Sequence, residues 1–257
     1  MRRAAHSASP EHPVKEKLLS HAGSRISTLT NVALAVCALA VTGVVVRREF
    51  FGPSRLAAAV PVRQVANWEA FAATGHRTGP ADAPVRIVVF SDFQCPACLA
   101  LAGELAALRL EFPSQVAIVH RHFPLPIHPF AAAAARASEC AAQQGRFDAF
   151  HDALFSAQGS IGLLPWTRFA DEAGVGDLPR FEACVSDPAT ARIVDRDVRD
   201  AAGLDVQATP TFLVNDLRVT GTPPLDTLRA YVRRALRERA ARPGVASRPQ
   251  PLPETGA

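Results

Sequence analysis

The chain has 257 residues, of which 48% are hydrophobic and 20% are charged, enough to bury the core of one domain with appendages. Its formal net charge is +4, but the basic residues are spread along the chain and alternate with acids, which argues against a nucleic-acid-binding protein. Five cysteines are too few for a disulfide-dense framework.

The first feature along the chain is an apolar run at residues 27–46, twenty residues without a charge. A helix of this length crosses about 30 Å of hydrocarbon. A cleaved signal peptide is the main alternative, but the small-residue triplet Ala57–Ala59 lies eleven residues beyond the run. We therefore predict an uncleaved transmembrane signal anchor at 27–46, after a cytoplasmic segment at 1–26. Cys37, inside the run, is interpreted as an apolar helix residue.

A linker at residues 47–66 separates this anchor from a globular domain at 67–240, and a proline-rich tail at 241–257 is predicted to be disordered. The domain begins with a strand, a helix that ends before a proline, and a second strand. A block without strand signals follows at about 128–204, then a hairpin and a last helix. This order predicts an α/β domain with an inserted all-helical subdomain. The predicted strands are 85–90, 115–123, 211–215 and 217–220, and the predicted first and last helices begin at the CxxC motif and at Pro224.

The motif Cys95-Pro96-Ala97-Cys98 follows the first strand directly and opens the helix. A lone CxxC is half of a zinc site, a redox dithiol or a chance occurrence. Zinc needs about four ligands, and the other cysteines lack the spacing for them. His120 and His122 share one face of a predicted strand and keep a mixed zinc site open, although we interpret them as structural. The strand-to-helix position favours a redox dithiol, with no metal and no cofactor.

This position also predicts different roles for the two cysteines. Cys95 would cap the helix and Pro96 would be its first residue, where the missing N–H costs nothing. The helix dipole stabilises a thiolate at Cys95, which becomes the sulfur that substrates attack, and Cys98 becomes the buried resolving thiol. The intervening Pro-Ala pair offers no imidazole to stabilise the thiolate further. We therefore expect an oxidant of intermediate strength.

Five short segments together resemble the DsbA-like disulfide oxidoreductases that carry a membrane anchor, over about residues 67–238. The resemblance implies a thioredoxin fold with an inserted helical domain, after one N-terminal transmembrane helix. It further implies a cis Pro210 that faces the CxxC, and backbone hydrogen bonds from Thr209 to an extended substrate. Some relatives have a second disulfide, which leaves a structural Cys140–Cys184 pair as an open possibility. The segments are 90–98, 122–125, 139–141, 145–147 and 208–211.

These observations predict a disulfide-forming oxidase on the extracytoplasmic (periplasmic) side of the cell membrane, held there by residues 27–46. Its partners would be cysteine-containing unfolded or partly folded proteins and a membrane redox protein that recycles the dithiol. A reductase or isomerase fed by a membrane electron donor would use the same residues. A third possibility is a non-catalytic chaperone or binding module that holds unfolded chains around Pro210.

Overall fold

A computed structural model describes residues 34–43 and 62–241, which fall in two compact units, Met1–Ala58 and Ala59–Ala257. In the first unit residues 34–43 form a helix (α1) whose side chains, including Cys37, are exposed. No helix within the described residues combines the length and apolar character that a membrane span requires. The remainder of the predicted anchor 27–46, the segment 1–26, most of the linker and the tail from 242 lie outside the described residues.

The second unit contains six strands and eight helices within residues 62–241. The strands are β1 (Arg63–Gln64), β2 (His76–Thr78), β3 (Val85–Ser91), β4 (Val116–His122), β5 (Thr211–Val214) and β6 (Leu217–Thr220). The helices are α2 (Trp68–Ala72), α3 (Pro96–Glu111), α4 (Ala131–Ala142), α5 (Phe147–Ser156), α6 (Trp166–Glu172), α7 (Leu178–Ser186), α8 (Ala191–Gly203) and α9 (Leu225–Ala240).

All six strands form one sheet in the order β1-β6-β5-β3-β4-β2. β3 and β4 are parallel and are joined by α3, while the other neighbouring strands are antiparallel. The central strand β3 is an almost continuous apolar run because helices cover both faces of the sheet. Ile87 on one face packs with α3 and α9, and Phe90 on the other packs with α8.

The helices α4 to α7 build a separate core around Phe150, Phe169 and Phe181. This core also includes Cys95 and Cys98. The CxxC therefore lies where the helical block meets the sheet, so residues from both parts can contact the two sulfurs.

A buried arginine joins β4 to α8. Arg121 is fully buried, and its Nε donates to Asp197 at 2.9 Å while Nη1 donates to the carbonyl oxygen of Phe71 at 3.0 Å. Its Nη2 also pairs with Asp200, and Asp197 accepts the backbone N–H of His122 at 2.9 Å. The positive charge is thus matched by carboxylates, as a buried ion requires.

The α/β order predicted from the sequence is confirmed, and the helical block occupies Ala131 to Gly203 between β4 and β5. Three short elements, β1, α2 and β2, were not predicted. β1 places the start of the sheet at Arg63, four residues before the predicted start of the domain and inside the predicted linker. Strands of two or three residues are too short to show a periodicity in the sequence. Here β1 and β2 form the two edges of the sheet by pairing with β6 and β4.

Candidate active site

The CxxC forms the start of α3. Cys95 is the N-cap residue in an extended conformation (φ −80°, ψ 118°), and Pro96 is the first helical residue. The carbonyl oxygen of Cys95 accepts the N–H groups of Cys98 at 3.0 Å and Leu99 at 3.2 Å. Cys95 is 6% and Cys98 2% exposed, whereas Pro96 and Ala97 are on the surface. The structure therefore puts Cys95 at the positive end of the helix and Cys98 one turn further inside.

Cys98 has an environment that keeps its sulfur protonated. Burial raises the pKa of the Cys98 thiol from 9.0 to about 12. The backbone N–H of Asp92 donates to its Sγ at 3.4 Å and offsets only part of that effect. At neutral pH Cys98 is accordingly a thiol.

The segment before β5 approaches Cys95 from the far end of the sequence. The Thr209–Pro210 peptide bond is cis, and Pro210 is buried. The Sγ of Cys95 donates to the carbonyl oxygen of Thr209 at 3.4 Å. On the other side of the motif, Thr222 Oγ1 donates to the carbonyl oxygen of Ala97 at 2.9 Å. The predicted substrate-binding residues Thr209 and Pro210 therefore lie beside the CxxC.

Asp92 organises the turn that leads into the motif. Its side chain is buried, and Oδ1 accepts the N–H of Gln94 at 2.7 Å. Oδ2 accepts the N–H of Leu125 at 2.8 Å and the Nδ1–H of His128 at 2.7 Å. One carboxylate thus holds the loop after β4 against the start of α3. Asp92 could have been identified from the sequence, because an acidic residue there lies between a buried strand and a CxxC motif.

Gln158 is a second residue that the sequence analysis missed. It lies in a short 3-10 turn of the helical block, Gln158–Ser160. Its Nε2 donates to the carbonyl oxygens of Phe93 at 2.8 Å and Cys95 at 3.0 Å. Sixty-three residues separate Gln158 from Cys95, and no local pattern marks a contact at that distance.

The other two cysteines of the domain are joined to each other. Cys140 on α4 and Cys184 on α7 form a disulfide with a Cα–Cα distance of 5.7 Å. This bond links two helices of the inserted block and leaves Cys95 and Cys98 free. The structure thus contains the structural pair that the sequence analysis left open.

A cavity of about 130 Å³ lies on the inner side of α3, next to Cys98. Imidazole and carboxylate groups from β4 and α5 share its wall, among them His120, His151 and Asp148. The buried thiol therefore borders a partly polar space.

Comparisons with known proteins agree with this arrangement. A family model described as thioredoxin matches residues 72–234. A thioredoxin-like oxidoreductase from Silicibacter pomeroyi DSS-3 superposes with a TM-score of 0.59 at 28% identity, covering 67% of this chain and 99% of that one. DsbA2 from Pseudomonas aeruginosa does so with a TM-score of 0.52 at 28% identity, covering 61% and 91% of the two chains.

Curated sequences that match this chain are much longer proteins, of which it aligns with only one part. A Na(+)/H(+) antiporter NhaA 3 from Salinispora tropica is 37% identical over 183 residues, 70% of this chain and 28% of the antiporter. An NhaA 1 from Mycolicibacterium gilvum is 40% identical over 150 residues, 57% of this chain and 24% of the antiporter. The chain thus spans about a quarter of the length of these curated relatives.

Proposed function

Because the chain belongs to the thioredoxin family, among the DsbA-like thiol-disulfide oxidoreductases, we propose that it forms disulfides in other proteins with the Cys95/Cys98 pair. The observation that carries this proposal is the asymmetry of the two sulfurs. Cys95 lies at the N-terminus of α3 against the Thr209 carbonyl, and Cys98 is buried behind it with a pKa of about 12. The Cys95 sulfur is placed to be attacked by a substrate thiolate and later to leave from the mixed disulfide. The Cys98 sulfur is placed to remain a protonated thiol once the disulfide has opened.

The oxidised enzyme starts with a Cys95–Cys98 disulfide. A substrate thiolate attacks the Cys95 sulfur, the bond between the two cysteines breaks, and its electron pair goes to the Cys98 sulfur, which takes up a proton. A second substrate thiolate then attacks the substrate sulfur of the mixed disulfide and releases Cys95 as a thiolate, which the helix N-terminus stabilises. The substrate gains one disulfide, and the enzyme gains two electrons and ends as a dithiol.

The high pKa of Cys98 slows the step that a reductase needs. To act as a reductase, Cys98 must attack the mixed disulfide as a thiolate and return a reduced substrate. Burial keeps the thiolate fraction of Cys98 small, so the mixed disulfide persists until a second substrate thiol resolves it. Gln158 and Asp92 hold the turn around Cys95 in place for both attacks.

We further propose that the domain works on the extracytoplasmic side of a membrane, anchored by residues 27–46. Protein disulfides persist in that compartment, and the Cys140–Cys184 disulfide is compatible with it. The substrates would be unfolded or partly folded proteins with free cysteines. A membrane redox protein would reoxidise the Cys95/Cys98 pair after each cycle.

Oxidation of a reduced, unfolded model protein by the stoichiometric oxidised full-length chain tests the proposal. We expect disulfides to appear in the substrate as thiols appear at Cys95 and Cys98. Reduced Cys98→Ser, mixed with the disulfide-bonded form of the model protein, is expected to accumulate a mixed disulfide through Cys95, because attack on the substrate disulfide releases a substrate thiolate and no second enzyme thiol follows. Cys37→Ser, the matched control, behaves as the wild type. A double variant, Cys95→Ser with Cys98→Ser, that still prevents the unfolded model protein from aggregating would instead identify a chaperone module. Rapid reduction of insulin without oxidation of the model protein would identify a reductase.

A further inference from the structure

Two imidazoles and one carboxylate meet inside the domain, apart from the dithiol. The Nε2 atoms of His76 and His122 both lie 2.7 Å from the same oxygen, Oε1 of Glu139. The three atoms lie within 4.8 Å of one another. They come from β2, β4 and α4, so only the folded chain brings them together.

The local structure holds each of the three side chains in place. Gly75 has φ +100°, and a Cβ there would lie 2.5 Å from the carbonyl oxygen of His120, so only glycine allows the chain to pass this close to β4. The next residue, His76, stacks on the ring of Phe147 with centroids 3.7 Å apart. Glu139 is 4% exposed on α4, whose other buried residues are all small.

Glu139 places an acidic side chain in the core, where one of its oxygens contacts both imidazoles. A charge in the core is costly unless it is paired. Within the described residues, Nδ1 of His122, across the ring from the nitrogen that contacts Glu139, is buried without a hydrogen-bond partner.

We propose that Nε2 of His76, Nε2 of His122 and Oε1 of Glu139 bind one divalent transition-metal ion of the zinc class. Two imidazoles and a carboxylate are a ligand set that Zn²⁺ takes with one further position left open. Zinc bonds of about 2.0–2.2 Å place tetrahedral ligands about 3.3 Å apart. The two hydrogen-bonded pairs therefore need to open by about 0.6 Å, while the two imidazole nitrogens, which lie within 4.8 Å of each other, adjust to the same spacing. His76, at 24% side-chain exposure, is the most accessible of the three and marks the side from which the ion enters.

The site is next to the redox centre but shares no residue with it. Phe93, two residues before Cys95, has its ring centroid 5.4 Å from that of His120 and 6.1 Å from that of His122. A bound ion would fix β2 and α4 to β4 behind this ring. It would also replace the two hydrogen bonds to Glu139 with stronger bonds, so it stabilises the domain by binding only the folded state.

The test uses the full-length chain without free thiols, because a reduced CxxC can bind zinc by itself. A Cys37→Ser, Cys95→Ser, Cys98→Ser variant retains only the two disulfide-bonded cysteines. After treatment with a chelator, ZnCl₂ is titrated into it calorimetrically. We expect one ion to bind at this site, a higher unfolding midpoint in its presence, and a zinc X-ray absorption spectrum with imidazole and oxygen ligands but no sulfur.

Glu139→Gln separates a metal ligand from a structural hydrogen-bond acceptor. The amide oxygen still accepts hydrogen bonds from both histidines but is a poor ligand for zinc, so we expect the fold to persist and the affinity to fall by roughly a hundredfold or more. His76→Ala, at the accessible edge, should do the same. Glu182→Gln, on the exposed face of α7, is the matched control and should leave the affinity unchanged.

The proposal is overturned if the thiol-free chain binds no zinc at this stoichiometry, which would leave the three residues as a hydrogen-bonded clamp. It is equally overturned if zinc binds but Glu139→Gln and His76→Ala leave its affinity unchanged, since the ion would then sit on other histidines. Neither result depends on the oxidase activity, because the variant used lacks the redox dithiol.

Discussion

The protonation of Cys98 can be measured directly in a Cys37→Ser, Cys95→Ala variant, in which Cys98 is the only free thiol. Burial, the main cause of the shift from 9.0 to about 12, remains in this variant. At pH 8 a thiol with a pKa of 9.0 is about one-tenth thiolate, and one with a pKa of about 12 is about one ten-thousandth thiolate. Since only the thiolate reacts with alkylating agents, we expect alkylation to be about a thousandfold slower than in the unfolded chain.

The assay follows iodoacetamide alkylation by mass spectrometry between about pH 7 and 11, in buffer and in denaturant. In the folded protein the rate should still rise tenfold per pH unit at the top of this range, whereas in denaturant it should level off near pH 9. Steric protection alone lowers the rate at every pH but leaves the midpoint near 9. A folded-state plateau near pH 9 would therefore refute the assigned role of Cys98. The Cys37→Ser, Cys98→Ala variant, in which Cys95 is the only free thiol, provides the comparison.

Three further predictions concern stability, each read from urea unfolding. Replacing Cys140 and Cys184 with alanine opens a loop with a sequence separation of 44 and should lower the free energy of unfolding by about 4 kcal/mol; a change under about 1 kcal/mol would contradict a constraining disulfide. Arg121→Met removes the buried cation from Asp197, which keeps only the partly exposed Arg196 at 3.3 Å, and should cost about 3–5 kcal/mol; a neutral effect would show that the buried pair is dispensable. Gln158→Ala removes two hydrogen bonds and should lower the free energy of unfolding by about 1–3 kcal/mol while slowing substrate oxidation. An unchanged rate of oxidation would show that Gln158 has no role in the reaction.

The dithiol and its setting could be predicted because the signals are local. An apolar run, a CxxC with proline at its second position and a leucine-rich helical pattern lie within residues 85–111. Each of them agrees with the same strand-to-helix turn, in which Cys95 caps α3. The helical block could be predicted for a similar reason, because its sequence contains several amphipathic segments in succession and no alternating strand pattern.

The contacts that complete the site could not be predicted, because they join positions far apart in the chain. Gln158 reaches Cys95 through a 3-10 turn that has no sequence signature. The short edge strand β2 carries His76, but its three residues form a strand only because β4 offers a partner.

The histidine pair on β4 shows the same limit. His120 and His122 share a strand face, as predicted, and were interpreted as structural with no metal. The proposed zinc site uses only His122 from that pair and takes its other ligands from β2 and α4. A spacing motif shows which residues can face one another on a strand, but the remaining ligands depend on the tertiary packing.

The redox equilibrium of the Cys95/Cys98 couple with glutathione tests the central claim most directly, with thiol trapping and mass spectrometry as the readout. A Cys95 sulfur at the N-terminus of α3, without an imidazole between the cysteines, predicts a potential between about −270 mV, typical of thioredoxin, and about −120 mV, typical of DsbA. A potential at or below about −270 mV would contradict the oxidase and indicate a reductase.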